Sequence, residues 1–321
     1  MSTSGPISEM ANRLRGGDLR ALARAISVVE DRTAESTELL KALFPYSGTA
    51  ALLGLTGSPG AGKSTLVDQI AREYRKQGKT IGIIAVDPTS PFSGGAILGD
   101  RIRMQSHYAD QGIYIRSMAT RGSLGGLAST TADVATVLDA SGRDLVMIET
   151  VGVGQDEVDI VTLADVTVVV LVPGMGDDVQ TIKAGIMEIA DVFVINKSDR
   201  EGAERVEREI RAMQSLSVRS DNWTPPIIKT VASEGTGIAG AVAAIESYRE
   251  FLKQGSVGQS RRIANWRKRI TEMLRDALFQ RVVTSYLGNG EADRLAADVA
   301  DHKRDPYSLV EELVREVGRH P

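Results

Sequence analysis

An α/β fold, with a mostly parallel sheet and helices on both of its faces, is what this sequence predicts, and three observations carry that reading. Short apolar, β-branched runs alternate with amphipathic stretches of helical length across most of the chain. One such run feeds Gly57-Ser58-Pro59-Gly60-Ala61-Gly62-Lys63-Ser64-Thr65, which fits G-x-x-x-x-G-K-[ST] and opens a helix. Loops rich in polar and acidic residues follow the later strands, where ligands sit in sheets of this kind. The expected organisation is a P-loop NTPase core over 49–255, preceded by a helical segment at 1–48 and followed by a helical segment for packing or dimerisation at 256–321.

The elements follow in order. Over 7–45, Ile7, Met10, Leu14, Leu19, Leu22, Ala25 and Ile26 recur at helical spacing, and Gly16-Gly17 interrupts the run. The reading adopted is a solvated helical pair with one buried stripe, with packing on the core or a partner as the alternative. The core begins with a strand at 51–55, the glycine loop and a helix to about 77 that Gly78 closes. Strands are expected at 80–86, 113–117, 145–148, 166–172, 192–195 and 227–231. Helices are expected from the glycine loop 122–126 to about 140, at 177–190, at 201–215 and at 238–254. The polar stretch 254–260 reads as a linker before a basic amphipathic helix that runs to about 286, a Gly288-Asn289-Gly290 break and two short helices.

Composition excludes several functions. Cysteine is absent, which removes disulfides, thiolate metal sites and cysteine nucleophiles. A formal net charge of -4 gives no general pull toward nucleic acid or anionic lipid. No apolar run approaches the roughly 18 residues that span a bilayer. The basic cluster Arg261, Arg262, Arg267, Lys268 and Arg269 around Trp266 has the charge for nucleic acid. However, Ile263, Trp266, Ile270, Met273 and Leu274 share one helix face, so packing or dimerisation is the reading adopted. No nucleic-acid or membrane partner is expected. Arginines near the start suggest a transit peptide, but Glu9, Asp18 and Glu30 argue against it, and a cytoplasmic protein is expected.

The glycine loop aims backbone N–H groups and the positive end of a helix dipole at one point. Lys63 can reach β- and γ-phosphates, and the Ser64 hydroxyl is the expected Mg²⁺ ligand. Asn196-Lys197-Ser198-Asp199 ends a core strand. Asp199 can accept from guanine N1–H and N2–H₂, a donor pair that adenine lacks. The Lys197 stem can lie along the base, and Asn196 can tie this loop to the phosphate loop. Ala232, Ser233 and Glu234 follow the next strand, which would put the Ala232 N–H near guanine O6. GTP and GDP are the expected ligands.

Glu149-Thr150-Val151-Gly152 ends another strand, where GTPases of the Ras type carry D-x-x-G. The Gly152 N–H can sense a γ-phosphate, and Glu149 can hold Mg²⁺ through a water. Val153 stands where Ras has the glutamine that orients water, so slow intrinsic hydrolysis is expected, raised by dimerisation or a partner; Gln155 lies nearby. Asp87 and Asp100 bracket a loop of switch length and are further candidates for the metal or the attacking water. Arg101, Arg103 and Arg121 are candidate charge stabilisers or surface ion-pair partners. The loop 173–180 is either a third mobile segment or a helix cap through Asp177, and the two are compatible. His107, His302 and His320 are isolated, and surface roles are expected for them.

Taken together, GSPGAGKST, VDPTSPFSGGAILGDRIRM, IRSMATRG, ETVGVGQDE, PGMGDD and NKSD, in that order, resemble the methylmalonyl-CoA mutase-associated GTPases of the MeaB/ArgK type. The resemblance extends to RGGDLRALARAIS at 15–27, which argues against a cleaved presequence, and to the C-terminal helices. It implies a homodimeric GTPase that gates cofactor loading onto an adenosylcobalamin-dependent acyl-CoA mutase and ejects damaged cobalamin. It also implies that Lys63 and Ser64 bind phosphate and Mg²⁺, that Asp87, Asp100 and Glu149 form the metal and switch shell, and that Asn196, Lys197 and Asp199 read guanine. PGMGDD matches the family's third switch, which faces the mutase. Asp156 departs from the serine usual in the family and bears on switch contacts or partner choice. The competing readings are a nickel metallochaperone GTPase, which would want His- or Cys-rich motifs, and a phosphotransferase, for which no acceptor motif is visible.

Overall fold

The protein is described from a computed structural model, which covers residues 5–87, 110–119, 126–150, 163–174, 188–216, 219–288 and 290–319. Helices α1 (Gly5–Arg15), α2 (Leu19–Glu30) and α3 (Ser36–Leu43) come first. Gly17, at φ +86°, turns the chain between α1 and α2. Asp18 then caps α2, its carboxylate accepting from the N–H groups of Arg20 and Ala21 at 2.8 and 3.1 Å.

The core alternates strands and helices: β1 (Ala51–Gly57), α4 (Lys63–Lys76), β2 (Ile81–Asp87), β3 (Ile113–Ala119), α5 (Gly126–Ala140), β4 (Leu145–Glu149), β5 (Val166–Leu171), β6 (Val192–Asn196), α6 (Ala203–Leu216), β7 (Ile227–Thr230) and α7 (Ile238–Lys253). The seven strands form one sheet in the order β3-β2-β4-β1-β5-β6-β7, and every pairing is parallel. The expected helix at 177–190 falls largely outside the described residues.

Strand side chains alternate between two faces, so each apolar strand supplies two cores. Leu53, Leu55, Ile83, Met147, Val168 and Val194 pack with α4 and α7 on one face. On the other, Ile84, Val146 and Ile148 meet α5 together with Leu14, Ile26 and Leu39 of the N-terminal helices. Val169, Phe193 and Ile195 meet α6 farther along that face. The N-terminal segment is therefore three helices built into the sheet's second face, and the solvated pair is set aside. Buried Asp139 of α5 fastens the chain between α3 and β1, accepting from the N–H groups of Gly48, Thr49 and Ala50.

The chain divides into two compact units, Met1–Arg261 and Arg262–Pro321. Helix α8 (Val257–Tyr286) begins earlier than the expected linker allowed, because 257–260 are already helical. The second unit comprises most of α8, α9 (Glu291–Ala300) and α10 (Pro306–Arg319). Among its described residues Leu295 is the one buried hydrophobic, while Ile263, Ile270, Leu274 and Phe279 are each more than half exposed. Among the described residues no helix is long and apolar enough to cross a membrane.

Candidate functional site

The site is assembled at the carboxyl ends of β1, β4, β6 and β7. β1 ends at Gly57 with φ +145°, where a Cβ would lie 2.1 Å from the Val170 carbonyl oxygen. Glycine alone lets the chain leave the sheet at this point. The loop re-enters helix at Gly62, φ +85°, where a Cβ would sit 2.5 Å from Asn196 Nδ2. The missing side chain brings the loop after β6 against the loop after β1.

Asn196 exploits that closeness. Its Nδ2 donates to the Ala61 carbonyl at 2.8 Å, while its Oδ1 accepts from the Ala232 N–H at 3.0 Å and the Thr230 hydroxyl at 3.1 Å. One amide, 2 % exposed, therefore ties the end of β6 to the loop after β1 and to the end of β7, and a buried amide with this many partners holds a single orientation. Lys197 adds a second strap: its Nζ donates to the Gly60 carbonyl at 2.7 Å, and its backbone sits at φ +55°.

Lys63 begins α4 and is buried. Its ammonium donates to the Gly57 carbonyl at 2.7 Å and the Ser58 carbonyl at 3.2 Å, partners that a buried cation needs. The next residue, Ser64, donates its hydroxyl to Glu149 Oε1 at 2.6 Å. Sheet register sets this contact, because Glu149 of β4 lies opposite Leu55 of β1. Beside it, Thr150 Oγ1 and Thr56 Oγ1 share a buried hydrogen bond of 3.1 Å. A hydroxyl and a carboxylate at a helix N-terminus are hard oxygen donors of the kind Mg²⁺ takes, so the residues present fit that ion. Among the described residues no cluster of three or more His, Cys, Asp or Glu could hold a metal.

The remaining expected residues divide clearly. Ser58, Pro59 and Thr65 lie in the phosphate loop and the first turn of α4 with Gly57, Gly60, Ala61 and Gly62. Ala232, Ser233 and Glu234 form a single 3-10 turn closed by Gly235 at φ +76°. Asp87 closes β2, but its side chain, together with Asp100, Gly152, Val153, Gln155, Asp156, Arg101, Arg103 and Arg121, lies outside the described residues.

Two expectations change. The Asp199 carboxylate is exposed, so its power to reject a wrong base comes only when a base covers it. The Ala232 N–H is engaged by Asn196 Oδ1, so guanine O6 would have to share that donor. Sequence reasoning also missed Thr230, which orients Asn196 from the end of β7. A threonine ending a strand is too common a feature to signal that task.

A parallel sheet whose first strand feeds a G-x-x-x-x-G-K-S loop, with an N-K-x-D loop strapped to it, defines a P-loop GTPase. Within that class the chain belongs to the family described as methylmalonyl-CoA mutase-associated GTPase MeaB, whose model matches residues 22–286. A Pyrococcus abyssi relative named as a GTPase is 48% identical over 317 residues, covering 97% of both chains. GTPase ArgK of Escherichia coli is 36% identical and covers 92% of this chain and 90% of that protein. The mouse methylmalonic aciduria type A homolog, mitochondrial, is 37% identical over 74% of this chain and 61% of its own length. A solved structure described as an LAO/AO transport system kinase aligns with a TM-score of 0.70 and 28% identity, covering 99% of each chain. The protein is a GTPase and binds guanine nucleotide.

Proposed function

We propose that this GTPase is a chaperone for an adenosylcobalamin-dependent acyl-CoA mutase, gating cofactor loading and protecting or reactivating the mutase. The family match and the name of the mouse relative support the choice of partner. The observation that carries the nucleotide chemistry is Asn196, which bonds the phosphate loop and the loop after β7 at once.

In this reading the triphosphate is gripped by the backbone N–H groups of the loop from Gly57 to Thr65, Pro59 having none to offer, and by Lys63. Its ammonium exchanges the Gly57 and Ser58 carbonyls for β- and γ-phosphate oxygens, which are anionic and stronger acceptors. Ser64 and Glu149, joined by Asp87 and Asp100, would hold Mg²⁺, which neutralises developing charge on the phosphates. Asp199, with the Lys197 stem and the Ala232 to Glu234 turn, reads guanine. The Gly152 loop senses the γ-phosphate, and slow intrinsic turnover follows from Val153. Inverting a 1:99 switch population would take about 10⁴-fold preference for one nucleotide state. A cytoplasmic homodimer joined through the C-terminal helices completes the proposal, with 1–48, 49–255 and 256–321 as its segments.

Steady-state GTP turnover measured with and without the purified mutase tests this. A rise of about tenfold or more is expected, since partners that complete a GTPase site act at this scale or above. Unchanged turnover over a full titration of mutase would remove the chaperone role. ATP competing equally with GTP would separately remove the role given to Asp199.

A further inference from the structure

At the opposite end of β6 from Asn196 lies a second buried polar cluster that the nucleotide chemistry does not use. Asp191 immediately precedes β6 and is fully buried. Its carboxylate accepts from Arg261 through both oxygens, at 3.0 and 2.9 Å, from Arg219 at 3.0 Å, and from the Thr167 N–H at 2.9 Å. Arg219 is further held by Asp221 at 2.6 Å and by the Ala190 carbonyl at 2.6 Å. The Trp223 indole donates to the Asp191 carbonyl at 2.9 Å, and its ring lies 4.9 Å from Tyr248 and 5.0 Å from Phe251. The Tyr248 hydroxyl also contacts Arg261.

Arg261 belongs to the second turn of α8, so a residue of the C-terminal helix is drawn into the foot of the sheet. The helix start is close-packed as well, because a Cβ on Gly258 would lie 2.3 Å from the Leu252 carbonyl oxygen at the end of α7. Arg219 is shared between Asp191 and Asp221, so the second guanidinium, drawn from the segment that begins α8, balances the two carboxylates and fixes that segment.

The two elements that meet Arg261 both begin or end at the base-facing loops. β6 runs only from Val192 to Asn196, from Asp191 at its foot to the amide that gathers the loops. α7 starts just after the Ala232–Glu234 turn and carries Tyr248 and Phe251 near its far end. We propose that the Asp191–Arg261 pair is a joint that reads guanine-nucleotide occupancy, through β6 and α7, as a change in the order of the first turns of α8. This rests on the placement of nucleotide at the loops after β1, β6 and β7. Nucleotide contacts added to those loops lower the residual motion at one end of both elements, and the joint at their other end loses motion with it.

Hydrogen–deuterium exchange of the full-length protein tests this, following the peptide 257–265 with and without saturating GDP and Mg²⁺, beside calorimetry of GDP binding. In the wild type, GDP should slow exchange of this peptide by roughly threefold or more. Arg261→Gln should speed it by about tenfold in both states and abolish the response to GDP, with GDP affinity unchanged. Should Arg261→Gln fail to fold, Tyr248→Phe, which removes only the hydroxyl, is expected to speed exchange by about threefold. Wild-type exchange in these variants overturns the joint. GDP binding by calorimetry without any change at 257–265 overturns the relay. Absence of GDP heat instead overturns the nucleotide site, and the proposal with it.

Discussion

The loop end of the sheet and the C-terminal unit satisfy their side chains in opposite ways. At the loop end the protein meets its own polar groups: Lys63 sits on two carbonyls, Ser64 on Glu149, and Asn196 on three partners in two other segments. In the C-terminal unit the apolar groups Ile270, Leu274 and Phe279 are left to solvent. A ligand site can be built ahead of its ligand, because hydrogen bonds borrowed from the backbone hold its geometry until stronger acceptors arrive. An apolar helix face cannot be completed in this way, because nothing but another surface removes it from water. Among the described residues the first region meets its polar groups within one chain, while the second leaves an apolar helix face exposed.

This contrast can be broken, most forcefully at Lys63. Lys63→Ala should lower kcat/KM for GTP by about 10²–10³-fold, the scale of one lost donor to a developing anionic centre, with the oligomeric state untouched. Stopped GTP turnover beside light scattering would check it; a shift in mass would show that the two regions are not separable. The converse variant, Ile270→Asp with Leu274→Asp, should weaken self-association by about 10²-fold while GDP affinity holds. Sedimentation over a concentration series measures that, and an unchanged profile would deny this face to the dimer.

A smaller effect sharpens the loop side. Gly62→Ala places a Cβ where Asn196 Nδ2 now lies and strains a left-handed residue, which should cost about 1–3 kcal/mol. GDP affinity by calorimetry should fall by about tenfold, more than for alanine at exposed Ser233. The smallest effect concerns acid. Burial alone would raise the Asp221 carboxyl, but Arg219 and the Trp223 N–H outweigh it and hold the group below its ordinary range. Its contribution is therefore present above the unfolded carboxyl range, near pH 4, and is lost as pH falls through the depressed native value. Asp221→Asn should flatten the acid limb of stability by about 1 kcal/mol, read as urea midpoints across pH.

Much of this was legible in the residues. The glycine loop and the N-K-x-D stretch declare themselves because their chemistry is local: backbone N–H groups, one lysine and one hydroxyl within nine positions. The strand and helix alternation was readable for the same reason, since periodicity acts over a single element. Less was legible where a partner lay far away in the chain. Thr230 looked like any strand end, the Ala232 N–H looked free for a base, and 254–260 looked like a linker. Arg261 looked like one more charge in a basic run, although it is drawn to a carboxylate 70 residues earlier.

By itself, then, the sequence determined the class of fold and the places of the glycine loop and the N-K-x-D loop, because spacing along a strand, loop and helix is written in neighbouring residues. Tertiary structure alone decided that the N-terminal helices belong to the sheet's second face, that the Ala232 N–H is engaged by Asn196, and that Arg261 turns inward to Asp191. Those outcomes depend on the strand order β3-β2-β4-β1-β5-β6-β7, which brings distant segments side by side and which no local pattern encodes.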